Sequence, residues 1–525
     1  MAVRAGGLAA NTIRWTVTGV RRRIWEQHVD VLIGLDVGTT AVKALAFDTA
    51  GRQIGAASHA YDRGLLVPRS GWVEQDPEDL WQGAVSALRS VLVRLPAGAR
   101  PIALCQSSQG GTLIPLGTDG APIYNAISWM DQRGAELAGE VATALGADAI
   151  YRTTGWHLGA ALPLLQLAWL RCERPELLAR ARQLTFVNDF ITQRLTGRWV
   201  MNPSDATMTQ LFSIAESRWD PQLLSHVGIE VGQLAPLLPT GAPVGRLTEG
   251  ASALLGLDRE TLVVNGAHDQ YCAAVGTGVI RPGAMLLSCG TAWVLLGVPE
   301  SLDAGLASGL SISCHVLPGL WGAIHSLGGV GAALEWVARE LFQVTGEHDR
   351  AEGYARLNAE AAASPAGASG LTFLPPAGGR AGMGGPHGGW LGLTLDHRRG
   401  DLARAVMEGT VCELHWAIDE IRVSGVPISA LKMVGGAAES PLWPQIVADM
   451  IGVEVALPPV SQAAAAGAAV LAGLGAGVYA SVEEGYQALA SQEALRTPSQ
   501  EMADGYGVRY ETYRQVREAL GRLVA

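Results

Sequence analysis

The sequence predicts an α/β protein of two similar domains facing one another across a crevice. Three observations carry this. At 525 residues the chain is too long for one typical core. Apolar residues are 48% and charged residues 17%, a balance that buries large cores and argues against disorder. A strand–turn–strand pattern carrying Gly-Thr recurs near the start of each half, at Gly38-Thr39 and again at Gly290-Thr291.

The elements follow in order. Residues 1–30 carry Arg4, Arg14, Arg21, Arg22 and Arg23, with no acid before Glu26 and no apolar run of signal-peptide length. They read as an extension outside the fold. Val31–Val37 reads as a strand, Gly38-Thr39-Thr40 interrupts it, and Ala41–Asp48 resumes. Thr49-Ala50-Gly51 turns into a third strand over Arg52–His59. Three strands in succession form a meander, unlike a Rossmann unit, in which a helix follows the first strand. Asp76 can cap a helix with Pro77 at its first position, and Leu80, Ala84, Leu88, Val91, Leu92 and Leu95 keep helical spacing.

The second half repeats the opening: Met285–Leu287 is apolar, Ser288–Thr291 breaks, and Ala292–Val298 is apolar again. A boundary near Thr277–Gly283 divides an N-terminal domain, 31–280, from a C-terminal domain, 281–525. Ala361–Gly370 reads as a surface loop. Ala463–Ala480 is uncharged and long enough to suggest a membrane helix. Its Ala and Gly content fits instead a buried helix packed close to neighbouring backbone, so no membrane span is expected.

The net charge of −11, with no basic block beyond residue 23, speaks against a nucleic-acid partner. Six scattered cysteines without a CxxC pair suggest neither a zinc site nor a disulfide framework. Reduced thiols in a cytoplasmic protein are the simplest reading, and a homodimer stays open.

Four segments carry chemistry. A Gly-Thr turn between strands offers backbone N–H groups and a hydroxyl to a phosphate. Asp36 ends the strand before Gly38-Thr39-Thr40, and a carboxylate there calls for Mg²⁺ between it and phosphate, held through water. The alternative is a plain turn cap, which recurrence at Gly290-Thr291 makes the poorer reading. Gly435-Gly436 follows the apolar run Leu431–Val434 and precedes a helix start with Ser440 as cap and Pro441 at the first position. That arrangement lets a flat base or phosphate approach the backbone. Asp269, in Gly266-Ala267-His268-Asp269-Gln270, follows a buried-looking strand and faces the crevice, where a carboxylate can take the proton of an attacking hydroxyl. His268 reads as a satisfied polar neighbour. Trp129, Asp131 and Arg133, with Gln106-Ser107-Ser108-Gln109-Gly110, supply the aromatic and hydrogen-bonding groups a sugar pocket needs; an ordinary loop with a packed Trp fits them equally.

Together these segments resemble the FGGY family of carbohydrate kinases, most closely its xylulokinase-like members, from Val31 to the C-terminus. The resemblance rests on Ile33-Gly34-Leu35-Asp36-Val37-Gly38-Thr39-Thr40, on Gly71-Trp72-Val73-Glu74-Gln75-Asp76-Pro77, and on Gly388-Gly389-Trp390-Leu391-Gly392-Leu393 with the later Asp401–Glu408. Gly435-Gly436 and Gln462–Leu471 resemble the adenosine-binding end. It implies an actin- and hexokinase-like fold, two ribonuclease-H-like domains flanking a catalytic cleft, and ATP-dependent phosphorylation of a hydroxyl on a ketose such as xylulose or a related pentulose. It implies ATP and Mg²⁺ as cofactors, Asp269 as catalytic base and Asp36 near the metal. Ser108, Gln109, Trp129, Asp131, Asp269 and Gln270 fall on the substrate, and Gly38, Thr39, Thr40, Gly290, Thr291, Gly435, Gly436 and Ala437 on ATP.

The chain departs from the family pattern at four places. Gly435–Ser440 lacks one glycine and a basic residue, Gly378-Gly379-Arg380-Ala381-Gly382 lacks a Glu and a Pro, and Gln166 stands where Lys is usual. Ser108-Gln109-Gly110 stands where a xylulokinase has Met-His-Gly. A kinase of glycerol or another polyol, and a non-catalytic sugar or nucleotide sensor, are the alternative readings.

Overall fold

The computed structural model describes residues 29–290, 292–375, 388–423, 425–460, 462–490 and 493–524. The expectations for residues 1–28, Thr291 and Gly378–Gly382 therefore fall outside the described residues.

The first sheet is built from β1 (Val29–Val37), β2 (Ala41–Asp48), β3 (Gln53–Ala60), β4 (Ala99–Ser108), β5 (Pro243–Arg246) and β6 (Leu262–His268), in the order β5-β6-β4-β1-β2-β3. The meander β1-β2-β3 is antiparallel, whereas β4 and β6 run parallel to β1. The first strand starts at Val29, two residues before the expected start, because Val29 and Asp30 pair with Ala99 and Arg100. Helix α1 (Pro77–Val93) opens as expected, with the Asp76 carboxylate accepting from the Glu78 N–H at 2.8 Å. Its apolar face, including Leu80, Ala84, Leu88 and Val91, lies in the core against Ile33, Leu35 and Val42.

The second sheet contains β7 (Ala284–Cys289), β8 (Trp293–Gly297), β9 (Ser311–Cys314), β10 (Trp321–Gly328), β11 (Ala430–Gly435), β12 (Val455–Leu457) and β13 (Ala494–Arg496), in the order β9-β10-β8-β7-β11-β12-β13. The central run β10-β8-β7-β11-β12 repeats β3-β2-β1-β4-β6 strand for strand and direction for direction. This is the doubling anticipated from the recurring Gly-Thr and the ribonuclease-H-like arrangement that the resemblance implies, with Gly38 after β1 and Gly290 after the equivalent β7.

Two helices join the halves. Helix α2 (Asp269–Thr277) leaves β6, and α6 (Ala463–Gly475) lies against both it and β1. Labels α3 (Glu347–Ala363), α4 (Arg399–Val423) and α5 (Trp443–Ile451) cover the helices between. Helix α6 is the uncharged Ala/Gly segment, and its backbone packs as closely as its composition allows. A Cβ on Gly467 would lie 1.8 Å from the Cys272 carbonyl oxygen, and one on Gly34 of β1 would lie 1.8 Å from the Ala465 oxygen. Among the described residues no helix is long and apolar enough to cross a membrane.

Two local expectations are corrected. Ala361–Ala363 ends α3 rather than opening a surface loop, and Ala361 and Ala368 are fully buried. Ala is the strongest helix former, so this Ala-rich stretch extends the helix. After Gly435-Gly436 the chain makes a 3₁₀ turn over Gly436–Glu439, and α5 begins only at Trp443. The Ser440 hydroxyl still accepts from the Trp443 N–H at 3.1 Å, but Pro441 lies before the helix and Pro444 occupies its first turn.

Candidate active site

Parallel strands release their C-terminal ends on one edge of a sheet, where side chains can converge. In the first sheet β1 ends on Asp36-Val37, β4 on Ser107-Ser108 and β6 on His268, with Asp269 opening α2. Register places Asp36 beside Ser107 and His268 beside Ser108. The Ser107 hydroxyl donates to Asp36 Oδ1 at 3.0 Å. Burial raises Asp36 to about 6, the nearby Asp269 charge adds to this, and Lys43 opposes it. Burial likewise raises Asp269 to about 6, against hydrogen bonds from Gln270 and the charge of Lys43. Lys43 sits directly opposite Asp36 across the β1–β2 pair. Two carboxylates raised by burial, with Asp269 also raising Asp36, form a place where a hard cation lowers the energy of the ionised pair. The donor set therefore fits Mg²⁺ beside Asp36.

The turn after Asp36 is braced from the sugar side. The Gly38 N–H donates to the Ala41 carbonyl at 3.1 Å. The Trp129 indole N–H donates to Thr39 Oγ1 at 3.0 Å, which leaves the threonine proton for another acceptor. The Gln75 amide donates to the Thr39 carbonyl at 2.9 Å, and the Gln109 amide donates to Gln75 Oε1 at 2.8 Å. Thr40 completes the turn.

Glycines in the second half leave room for a ligand. A Cβ on Gly436 would meet nothing within 4 Å, and one on Gly290 would meet only the Ala292 oxygen at 3.6 Å. No described neighbouring atom requires glycine at these two places. Gly435 is different: its φ of +93° and the Cys289 oxygen, 2.4 Å from a notional Cβ, demand glycine. Ala437 is buried within the 3₁₀ turn, so its backbone is what it can offer.

The residues expected of a sugar pocket differ in how far the protein itself engages them. Ser108 Oγ and Gln109 Oε1 are buried without a hydrogen-bond partner among the described residues. Asp131 is fully buried and fully engaged. Its Oδ1 accepts from Arg133 N and Nε, both at 2.8 Å, and its Oδ2 accepts from Arg133 Nη2 at 2.8 Å and Val73 N at 2.6 Å. Arg133 also reaches Glu74 at 2.8 Å and lies over the Trp72 ring at 4.1 Å. Asp131 thus braces a structural cluster rather than the substrate. Gln270 faces the second half, its Oε1 accepting from Ser288 Oγ of β7 at 3.3 Å.

Sequence reasoning missed Lys43 and gave Gln75 and Ser107 no individual role. The alternation of β2 could have flagged Lys43, a charge directly across from Asp36. His268 is not a satisfied neighbour: its Nδ1 is buried with no partner among the described residues.

Comparison with known proteins agrees with this geometry. Residues 31–276 match the model of the FGGY family of carbohydrate kinases, N-terminal domain, and residues 285–476 match that of its C-terminal domain. The chain is 27% identical over 504 residues to a xylulose kinase of Staphylococcus epidermidis, covering 94% of this chain and 98% of that one. It is 30% identical over 510 residues to the autoinducer-2 kinase of Escherichia coli K12, covering 90% and 92%. The crystal structure of xylulose kinase from Rhodospirillum rubrum superposes with a TM-score of 0.83 at 26% identity, covering 94% and 99%. With both family domains matched in order along one doubled fold, this chain belongs to the FGGY family of carbohydrate kinases, phosphotransferases with an alcohol group as acceptor.

Proposed function

We propose that this chain phosphorylates a hydroxyl of a ketose, such as xylulose or a related pentulose, with MgATP as donor in the cytoplasm. Residues 31–280 bind the sugar and phosphates, and residues 281–525 bind the nucleotide. One observation carries the reading. Asp269 stands at a strand-to-helix junction, within electrostatic reach of Asp36 and its Gly-Thr-Thr turn, while Ser108 and Gln109 hold unpartnered polar atoms one strand away.

Bound MgATP supplies the transferred phosphoryl group and a good leaving group. The protein does the rest. Asp269 accepts the proton of the attacking hydroxyl at its carboxylate, and its raised affinity suits that task near neutral pH. Thr39 and the N–H groups of Thr39 and Thr40 orient phosphate oxygens, as do the backbones at Gly290-Thr291 and Gly435–Ala437. Asp36 would hold Mg²⁺, which would offset the charge of the phosphates. Ser108 and Gln109 receive sugar hydroxyls, Trp129 walls the pocket, and Gln270 links it to the second half. Closure of the halves excludes water, so transfer to solvent is suppressed.

Relatives of similar identity act on different acceptors, as their names state. Because Ser108-Gln109 replaces Met-His, D-xylulose is expected to be a poor substrate beside another ketose or polyol. The test is ATP consumption over a panel of ketoses and polyols, with Asp269→Asn as control. No consumption on any acceptor would reduce the chain to a binding protein. D-Xylulose as the best acceptor would make the pocket an ordinary xylulokinase pocket repacked.

A further inference from the structure

The turn after β1 is held by a chain of two buried amides. Gln75 is 1% exposed and Gln109 3%. The backbone of Gln75 is fixed on both sides, because Glu74-Gln75 pairs with Ala126-Ile127 and Asp76 caps α1. A backbone carbonyl only accepts, so the atom that meets the Thr39 oxygen at 2.9 Å is Gln75 Nε2. Gln75 Oε1 is then the atom facing Gln109, and it takes the Gln109 Nε2 hydrogen at 2.8 Å. One carbonyl of fixed character thus orients both amides and leaves neither free to flip. The Trp129 indole N–H holds the same threonine at Oγ1, 3.0 Å away.

These contacts decide which way the Thr39–Thr40 peptide faces. In a trans peptide the carbonyl and the N–H point in opposite directions, and no peptide bond among the described residues is cis. With its carbonyl turned in to Gln75, this peptide turns the Thr40 N–H out. Thr40 is exposed, and neither its N–H nor that of Thr39 meets an acceptor among the described residues. Two successive free N–H groups at a turn form a concavity for an anion. Rotated by half a turn, the same peptide would present its oxygen to that anion and repel it.

We infer that Gln75 is a positioning residue for phosphoryl transfer: its amide holds the Thr39–Thr40 peptide so that the N–H, not the oxygen, faces the terminal phosphate of MgATP. The inference rests on the kinase reading above. Asp269 lies at the same edge of the first sheet, so the phosphate that this turn meets is the one transferred. Gln75 itself touches neither substrate.

The experiment compares wild type with Gln75→Met, which keeps the length of the side chain without a donor, and with Gln75→His, whose ring Nε2–H reaches the place of the lost amide. Calorimetry measures the affinity of each for MgADP and for the magnesium complex of β,γ-imido-ATP, which carries a terminal phosphate that is not transferred. Coupled ADP release gives kcat on the best acceptor of the panel. A hydrogen bond to a charged phosphate is worth roughly 10–100-fold. Gln75→Met should weaken imido-ATP relative to ADP by that factor and lower kcat to a similar extent. Gln75→His should stay within a few-fold of wild type in both. In wild type, hydrogen exchange at the Thr40 amide should slow on adding Mg-imido-ATP and stay unchanged with MgADP. If Gln75 merely satisfies a buried carbonyl, Gln75→Met loses stability with its preference between the two nucleotides unaltered. That result overturns the inference and leaves the kinase reading standing. Should Gln75→Met fail to fold, unslowed exchange at Thr40 in wild type overturns it in the same way. A wild type inert on every acceptor overturns both and is recognised before any variant is compared.

Discussion

Replacing Asp269 with Asn separates chemistry from stability, because the two should move in opposite directions. Asn keeps the shape of the side chain. It cannot take a proton from an attacking hydroxyl. Loss of a general base lowers turnover by roughly 10²–10⁴-fold. Stability is set by the buried charge. Asp269 is raised from an ordinary 3.8 to about 6, chiefly by burial, which corresponds to roughly 3 kcal/mol against the ionised folded form at neutral pH. The side chain retains 30% exposure and shares its field with Asp36, so about 1–2 kcal/mol is the better figure. A carboxyl with a raised folded pKa contributes most stability when protonated, and that contribution is lost as pH rises from about 4 through about 6. Wild-type stability should therefore gain from this group as pH falls from 7 toward 5, and the variant should lack that gain. At pH 7.5 the variant should melt at least a degree higher while being nearly inactive. In wild type, kcat/KM should fall on the acid side below about pH 6, and added Mg²⁺ should move that limb to lower pH by favouring the ionised pair. The assays are coupled ADP release and thermal melts across pH 5–8. Turnover within a few-fold of wild type would remove Asp269 from the proposed role. A variant that melts lower at pH 7.5 would refute the argument from burial.

Gly467→Ala should cost more than about 3 kcal/mol in urea unfolding, because its Cβ would lie 1.8 Å from the backbone oxygen of Cys272 and 2.9 Å from the nitrogen of Gly276; a wild-type midpoint would show that α6 can retreat. Asp131→Ala leaves the fully buried Arg133 guanidinium short of its partner, a loss of about 3–5 kcal/mol, with kcat/KM ratios among acceptors unchanged; an altered preference would return Asp131 to the pocket. Gln109→Ala should lower kcat/KM for the preferred acceptor by roughly 10–100-fold with the KM for ATP little changed; an equal loss on every acceptor would reduce Gln109 to a brace for Gln75.

The doubled architecture was legible because it repeats a local pattern. Each half opens with strand, Gly-Thr turn and strand, and alternation of apolar residues with a turn signal is information carried by neighbours in sequence. The same holds for α1, whose cap, proline and spacing all lie within one segment, and for α6, whose Ala and Gly content announces close backbone packing. Asp36 and Asp269 were legible for a related reason. Each lies at the C-terminal end of a parallel strand, Asp36 one residue before the end of β1 and Asp269 one residue after the end of β6, and strand ends in such sheets meet at one edge. Boundaries were less legible. Nothing local shows that Val29 and Asp30 pair with Ala99 and Arg100, or that α5 waits until Trp443.

The pocket was the least legible part, and comparing Asp131 with His268 shows why. In sequence both are polar residues beside a motif, and each admits a binding or a bland reading. What separates them is whether the folded chain supplies their partners. Asp131 receives Arg133 from two residues away and the Val73 N–H from 58 residues away, so none of its oxygens is left for a ligand. His268 Nδ1 receives no hydrogen-bond partner from any described element. A buried polar atom without a partner is costly, so the bland reading of His268 fails where that of Asp131 holds. Hydrogen-bond saturation over long sequence separations decided both cases, and no local pattern encodes it.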